Sequence, residues 1–226
     1  MKINNRLKTI GDLVPLSTYP LDIGCDHALL SIYLVKEKGL NKVVASDNKS
    51  GPLKKAKENV DFYKVKDKVE LIKREGLDSY KEGIDTITIS GMGGLNINKI
   101  IDNNKKYLKN INTLILSPNN YSLAVKRKLV KYGYYIEFED LVKENNIIYE
   151  IIVFKKGRKY YSYKKLFLGP VLSLKNDSLT HEYYQNLLNS KESLLKALPK
   201  TFKSKIRLTK KEIKYLKDIL NKSAIN

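Results

Sequence analysis

Five short apolar runs, rich in β-branched residues, alternate with stretches of helical spacing over residues 21–132. Runs of this kind are typical of buried parallel strands, and their alternation with helices indicates an α/β sheet. The predicted strands are residues 21–26, 43–47, 69–75, 86–91 and 113–119. The predicted helices between and after them are residues 28–38, 52–63, 95–108 and 123–132.

Two longer extended runs follow, at residues 134–142 and 147–154, separated by a polar KENN turn. They predict an antiparallel hairpin at the end of the sheet. A nucleotide-binding sheet that ends in an antiparallel strand is the usual form of the class I methyltransferase fold, whereas a dehydrogenase more often continues in parallel. We therefore predict a doubly wound, Rossmann-like α/β sheet of the class I methyltransferase type.

The two ends of the chain add helices to this sheet. Apolar residues between Leu7 and Val14 share one helical face, which predicts a short N-terminal helix. From about Leu172 apolar residues recur at helical spacing on both sides of Pro199, which predicts two long amphipathic helices in a coiled-coil-like hairpin. We expect a catalytic domain over residues 1–160 and a basic helical domain over residues 161–226.

Basic residues outnumber acidic ones, with 43 Lys and Arg against 24 Asp and Glu and a formal net charge of +19. The excess is uneven, because residues 155–226 carry 18 basic and 5 acidic side chains. The lysine-rich surface of a protein from an AT-biased genome is one explanation, but it would affect both halves of the chain. The asymmetry favours RNA as a partner, since a basic field attracts polyanions.

Composition excludes several other classes of protein. The single cysteine, Cys25, cannot form an internal disulfide, and with only His27 and His181 beside it we expect no structural metal. No apolar run approaches the roughly 18–20 residues that span a bilayer, and the N-terminus lacks the apolar core of a signal peptide. We expect a cytoplasmic protein without membrane contact, acting as a monomer.

The sequence DIGCDHALL stands at the first strand–helix junction, where the ligand crevice of a doubly wound sheet lies. It offers only Gly24, whereas a dinucleotide site requires G-x-G-x-x-G for the approach of a pyrophosphate. Asp22 and Asp26 suit a ligand with an ammonium and a sulfonium group better than one with phosphates. Asp26 could instead cap the helix. His27 could be a catalytic base, but a helix-end hydrogen bond or a wall of the cofactor pocket explains it more simply.

The second strand ends in Asp47, followed by Asn48. A carboxylate at this place accepts hydrogen bonds from the ribose hydroxyls of a bound nucleoside. It does not identify which nucleoside is bound, and a strand-end aspartate can also be a plain turn residue. We include both side chains among the cofactor-binding candidates.

Three further strand ends carry residues suited to the same crevice. Glu75, before Gly76, could reach an adenine amino group. Gly91 and Met92 belong to an SGMGG segment whose glycines allow a flat group to lie close to the backbone. Asn119, in an SPNN turn, presents an amide. A single glycine at a strand end is usually a turn residue. Five successive strands that all end in residues suited to a ligand favour one cofactor cleft.

With these motifs in view, the chain resembles the bacterial tRNA (adenine-N1)-methyltransferases that act on adenine 22 of tRNA, called TrmK. The matching elements are Arg6-Leu7, DIGCDHA at 22–28, SGP at 50–52, DTITISGMGG at 85–94, LILSPN at 114–119, and VLS after Gly169-Pro170. The resemblance covers the whole chain. It implies S-adenosyl-L-methionine as cofactor, tRNA as substrate, and a Rossmann-like catalytic domain followed by a helical, coiled-coil-like one.

N1 of adenine has a free lone pair, so its methylation needs no general base before transfer, and positioning should dominate. The product ring is cationic, so we expect Asp26 and Asn119 to stabilise the developing charge as catalytic residues. The base must be turned out of the folded tRNA to reach the cleft. We expect Arg6, Lys126 and Arg127 to contact phosphates.

Two other functions fit parts of this pattern. A nicotinamide-dependent oxidoreductase shares the sheet but would need the missing glycines of the first loop. A non-catalytic RNA-binding protein could keep the scaffold without the chemistry. Binding of S-adenosylhomocysteine but not NAD would exclude the first alternative, and methyl transfer to tRNA would exclude the second.

Overall fold

The computed structural model describes residue 1 and residues 3–223. The chain divides into two compact units, Met1–Lys159 and Tyr160–Asn226. The helices of the first unit are α1 Asn5–Leu13, α2 Leu29–Lys36, α3 Ser50–Phe62, α4 Gly94–Asn103 and α5 Ser122–Lys131. Its strands are β1 Pro20–Ile23, β2 Val43–Asp47, β3 Val69–Lys73, β4 Thr86–Ser90, β5 Thr113–Ser117, β6 Tyr134–Glu144 and β7 Ile147–Lys156. The second unit contains α6 Tyr163–Leu168, α7 Ser178–Ala197 and α8 Lys203–Ser223.

The seven strands form one sheet in the order β3-β2-β1-β4-β5-β7-β6. The pairs from β3 to β5 are parallel, whereas β7 runs antiparallel to both β5 and β6. This topology confirms the predicted class I methyltransferase fold. Strands β2 and β3 lie on one side of β1, and β4 and β5 lie on the other. The direction of winding therefore reverses at β1, and a crevice opens between β1 and β4 at their carboxyl ends.

Strands β1 and β3 end earlier than the sequence pattern predicts, because the chain turns out of the sheet toward the crevice. Strand β1 stops at Ile23, and the next residues include Gly24 with φ +73° and Asp26 with φ +48°. Ala28 also adopts a left-handed conformation, with φ +57°, so helix α2 starts only at Leu29. The predicted ends of these elements are therefore loops, which leaves their side chains available to a ligand.

The terminal hairpin is longer than predicted, because β6 extends to Glu144. Only Asn145 and Asn146 form its turn, with φ values of +49° and +62°. Two consecutive left-handed residues are typical of the tight turn that joins twisted antiparallel strands, and asparagine tolerates this conformation. Lys143 and Glu144 thus belong to the strand rather than to the predicted four-residue turn.

The second unit contains the two long helices that the sequence predicts, and Pro199 lies between them. Helix α7 is capped by Asp177, whose Oδ1 accepts a hydrogen bond from the Thr180 amide at 2.8 Å. The short helix α6 was not predicted. Leu174, which falls in the region predicted to be helical from about Leu172, instead lies in a 3-10 turn with 82% of its surface exposed.

Inside this unit, α7 and α8 are joined by a partly buried ion pair. Lys191 Nζ donates to Glu212 Oε2 at 2.6 Å, and Glu212 also accepts from the Tyr163 hydroxyl at 2.5 Å. Leu216 of α8 is fully buried. In the described part of the chain, no helix is long and apolar enough to cross a membrane.

Candidate active site

A cleft of about 520 Å³ lies where β1, β2, β3 and β4 end. This volume is within the range of small-molecule sites, roughly 300–1,000 Å³. All ten predicted cofactor-binding residues line it: Asp22, Gly24, Asp26, His27, Asp47, Asn48, Glu75, Gly76, Gly91 and Met92. The structure therefore brings the predicted strand ends into one place, and contact with a cofactor stays a prediction for each side chain.

The loop after β1 is held tightly against the end of β2. The amides of Gly24 and Cys25 both donate to the Ser46 carbonyl, at 2.8 and 2.9 Å. Gly24 has φ +73°, and a Cβ atom there would lie 2.2 Å from Met92 Cε. Cys25 is buried, which raises the pKa of its thiol and keeps it neutral. The left-handed conformation thus requires a glycine, and the cysteine serves packing.

Asp22 forms the floor of the cleft and is 3% exposed. Its carboxylate accepts hydrogen bonds from Ser31 Oγ and Thr88 Oγ1, both at 2.9 Å. Burial raises its pKa to about 6, against the opposing effect of the two hydroxyl donors, and the neighbouring charge of Asp47 adds to the rise. A buried carboxylate of this kind gains from a nearby cation, which suits the positively charged ligand that the sequence predicts.

Asp26 does not cap helix α2, so that interpretation is wrong. The N-cap is Ala28, and no side chain makes a cap hydrogen bond there. The Asp26 side chain is 71% exposed and lies 3.5 Å from His27 Nε2. His27 accepts a hydrogen bond from Asn59 through its main-chain carbonyl, which leaves the imidazole to line the cleft. The geometry favours His27 as a pocket wall.

The end of β2 and the loop after β3 complete the cleft. Asp47 Oδ1 accepts from the Lys49 amide at 2.9 Å, which fixes the carboxylate. Glu75 is exposed at the rim. Gly76 is buried with φ +53°, and a Cβ atom there would lie 2.8 Å from Ile100 Cγ2. The glycine after Glu75 is therefore needed for the close packing of this loop on α4.

Asn119 lies beside the cleft and joins the loops after β4 and β5. Its side-chain Nδ2 donates to the Gly91 carbonyl at 2.7 Å, and its main-chain N–H donates to the Met92 carbonyl at 2.9 Å. Its Oδ1 accepts from Arg6 Nη1 at 3.2 Å. The Arg6 guanidinium lies over the Tyr149 ring, with 4.1 Å between Cζ and the ring centroid. Sequence reasoning missed Tyr149, because it lies inside β7, far from any strand-end motif.

The prediction that Lys126 contacts RNA is wrong. Its side chain is 2% exposed, and Nζ lies 2.7 Å from Glu139 Oε1 and in close contact with Glu150. Burial alone lowers the pKa of the amine, but the two carboxylates outweigh that effect, so its pKa is raised and the charge is kept. Arg127, the next residue, is exposed, and its RNA contact stays a prediction.

Comparison with known proteins identifies the family to which the chain is similar. A family model for tRNA (adenine(22)-N(1))-methyltransferase, TrmK, matches residues 20–222. The tRNA (adenine(22)-N(1))-methyltransferase of Bacillus subtilis is 26% identical, over 98% of either chain. The crystal structure of B. subtilis TrmK superposes with a TM-score of 0.88, at 25% identity over 97% of this chain and 99% of the other.

A second similar protein was solved with a bound cofactor. It is a candidate tRNA (m1A22) methyltransferase of Streptococcus pneumoniae in complex with S-adenosyl-L-methionine. It is 28% identical, covers 97% of this chain and 100% of its own, and has a TM-score of 0.88. The resemblance, the fold and the cofactor class predicted from the sequence are thereby confirmed, and the chain belongs to the TrmK family of tRNA (adenine(22)-N(1))-methyltransferases.

Proposed function

We propose that this protein transfers the methyl group of S-adenosylmethionine to N1 of adenine 22 in tRNA. The observation that carries the proposal is the cleft at the switch point of the sheet, whose first loop has one glycine and carboxylates where a dinucleotide site has three glycines. No observation specifically favours the oxidoreductase or the non-catalytic alternative.

The residues of the cleft fit this cofactor. Asp47 would accept hydrogen bonds from the ribose hydroxyls, and Glu75 from the adenine amino group. Asp22 and Asp26 would attract the ammonium and sulfonium charges of the methionine end. When bound, S-adenosylmethionine supplies an electrophilic methyl group on a positively charged sulfur.

The chain itself has to orient the target base and tolerate its new charge. The N1 lone pair attacks directly, so holding the base in line within about 3–3.5 Å of the methyl group is the main contribution. Asn119 and Asp26 would stabilise the cationic product ring. Extruding the base costs a few kcal/mol, which contacts to phosphate would offset.

Arg127 and the basic second unit are the proposed sources of phosphate contacts. Residues 160–226 carry 14 basic against 5 acidic side chains. Because phosphate contacts release counterions, we expect steep weakening of tRNA binding with salt. We also propose that the enzyme acts on tRNA in the cytoplasm, and its monomeric state stays a prediction of the sequence.

The direct test is to incubate the purified protein with labelled S-adenosylmethionine and a tRNA transcript, and then to map the modified nucleotide. We expect 1-methyladenine at position 22. A transcript with G22 is the matched control and should remain unlabelled. Label at another nucleotide, or in both transcripts, would contradict the proposal.

A further inference from the structure

Arg6, Tyr149 and Asn119 form a cluster next to the cofactor cleft that the proposed mechanism does not fully use. The Arg6 guanidinium lies over the ring of Tyr149, with its Cζ 4.1 Å from the ring centroid. It donates to Asn119 Oδ1 at 3.2 Å. Arg6 and Gly91 both line the cleft. Tyr149 and Asn119 therefore hold a planar cation, the Arg6 guanidinium, between an aromatic face and a hydrogen-bond acceptor.

A 1-methyladenine ring has the same three properties as this guanidinium. It is planar, it is positively charged, and its exocyclic amine is a hydrogen-bond donor. We propose that the target adenine stacks on Tyr149, that Asn119 Oδ1 accepts a hydrogen bond from its exocyclic amine, and that Arg6 occupies this place until the base displaces it. The inference rests on the proposed function and names the base-binding part of the same site.

The aromatic face would act on the reaction itself. As the N1 lone pair forms the new bond to the methyl carbon, the carbon–sulfur bond breaks with its electron pair retained by sulfur, and the positive charge passes to the ring. The face of a tyrosine ring attracts cations through its quadrupole. Tyr149 would thus bind the charged ring of the transition state more tightly than the neutral adenine, and only such differential binding accelerates the step.

The orientation of Asn119 would select adenine. Its Nδ2 is engaged by the Gly91 carbonyl at 2.7 Å, so the amide is held with Oδ1 toward Arg6. This oxygen can accept from the amine of adenine, whereas the O6 carbonyl of guanine would face it as a second acceptor. A site built to hydrogen-bond an amine rejects a base that lacks it.

Arg6 is suited to leave this position. Its Nε is buried without a hydrogen-bond partner among the described residues. The hydrogen-bonding capacity of the guanidinium is therefore not fully used in this position. The helix that carries it is fixed at its other end, because Lys38 Nζ donates to the carbonyls of Gly11 and Val14 at 2.9 and 2.7 Å. A side-chain movement alone would free Tyr149 and bring the guanidinium to a phosphate of the turned-out nucleotide.

The first test compares Tyr149→Leu with Tyr149→Phe in the full-length protein. Single-turnover methylation at saturating tRNA should fall about 10- to 30-fold in Y149L, the upper range for a cation–aromatic contact that excludes water. Y149F keeps the ring face and should stay within about threefold of wild type. The affinity for S-adenosylhomocysteine should change by less than about twofold in both variants.

Several results would overturn the inference. Wild-type turnover in Y149L would exclude a stacking platform, and an equal loss in Y149F would assign the effect to the hydroxyl group. Loss of S-adenosylhomocysteine affinity in both variants would indicate a structural role. If the wild-type protein methylates no tRNA, the proposed function fails instead, so the two failures are distinguishable.

A second test changes the substrate, so the rates measured with the wild-type protein do not depend on whether a variant folds. A tRNA with purine at position 22 keeps N1 but lacks the exocyclic amine. Wild type should lose more rate on going from adenine to purine than Asn119→Ala does, with a difference of about fivefold to tenfold for one hydrogen bond. Equal losses in the two proteins would show that Asn119 does not contact the amine.

Discussion

The two flanks of the sheet use charged residues in opposite ways. At the ends of β1 and β2, Asp26 lies in the loop after β1 and Asp47 is the last residue of β2, and both line the cleft. On the flank formed by β5, β7 and β6, Lys126 is enclosed with Glu139 and Glu150, and all three side chains are less than 5% exposed. The first arrangement leaves charge available to a ligand, whereas the second neutralises it within the core. Residue type alone therefore does not distinguish a binding group from a structural one.

Lys126 and Arg127 show the contrast within one helix turn. They are adjacent in α5, but successive helical residues point about 100° apart, since a turn takes 3.6 residues. Lys126 shares the inward face with Val125 and Leu129, which are fully buried. Arg127 lies on the exposed face. The structure thus separates two residues that the sequence analysis grouped as phosphate contacts.

The strongest way to test this contrast is Lys126→Met. Removing the amine leaves two buried carboxylates without their cation, and breaking a buried pair in this way costs about 3–5 kcal/mol of unfolding free energy. Urea unfolding measures the change. Arg127→Gln is the matched control and should stay within about 0.5 kcal/mol of wild type. Similar unfolding curves for the two variants would show that the buried cluster does not contribute to the free energy of unfolding.

On the cleft side, Asp47→Ala should weaken binding of S-adenosylhomocysteine about tenfold to a hundredfold. The reason is the loss of hydrogen bonds from ribose hydroxyls to a charged acceptor, worth roughly 1.5–3 kcal/mol. Calorimetric titration gives the affinity. Asp67→Ala offers a control, because Asp67 is exposed and lies before β3, at the other end of the strands. If both variants bind equally well, Asp47 is a plain turn residue.

A smaller effect is expected from pH through Asp22. Its pKa is raised to about 6, so the carboxylate is charged at pH 7.5 and mostly neutral at pH 5. A cationic ligand favours the charged form, so affinity for S-adenosylmethionine should increase with pH over this range, by up to about tenfold.

Asp22→Asn isolates this contribution, because it keeps the shape and removes the titration. The pH dependence of S-adenosylmethionine affinity should be flatter in the variant than in wild type. An unchanged pH profile in D22N would assign the dependence to another group and would contradict the role of Asp22 as a charged floor of the cleft.

The sequence predicted the cleft well because its residues follow the strands directly. In a parallel sheet the carboxyl ends of all strands meet at one edge, so local order along the chain is enough to bring Asp22, Asp47 and Gly91 together. The exact strand ends were missed, since the left-handed residues Gly24 and Asp26 cannot be recognised from the apolar pattern alone. The fold class followed from the alternation of elements and the terminal hairpin.

The other flank was not predictable in the same way, because its contacts join residues distant in the chain. Arg6 and Asn119 are 113 positions apart. One signal was available, since Glu150 is a lone charge inside the apolar run IIYEIIVF and a buried carboxylate requires a partner. That signal predicts a buried cation, but only the packing of α5 on the hairpin identifies it as Lys126.

We expect the cleft to bind a sulfur nucleoside and not a dinucleotide. Calorimetric titration of the purified protein with S-adenosylhomocysteine and, separately, with NAD tests it most directly. We predict saturable one-to-one binding of S-adenosylhomocysteine and no heat of binding with NAD. Binding of NAD, or of neither compound, would rule out this cleft as a site for S-adenosylmethionine.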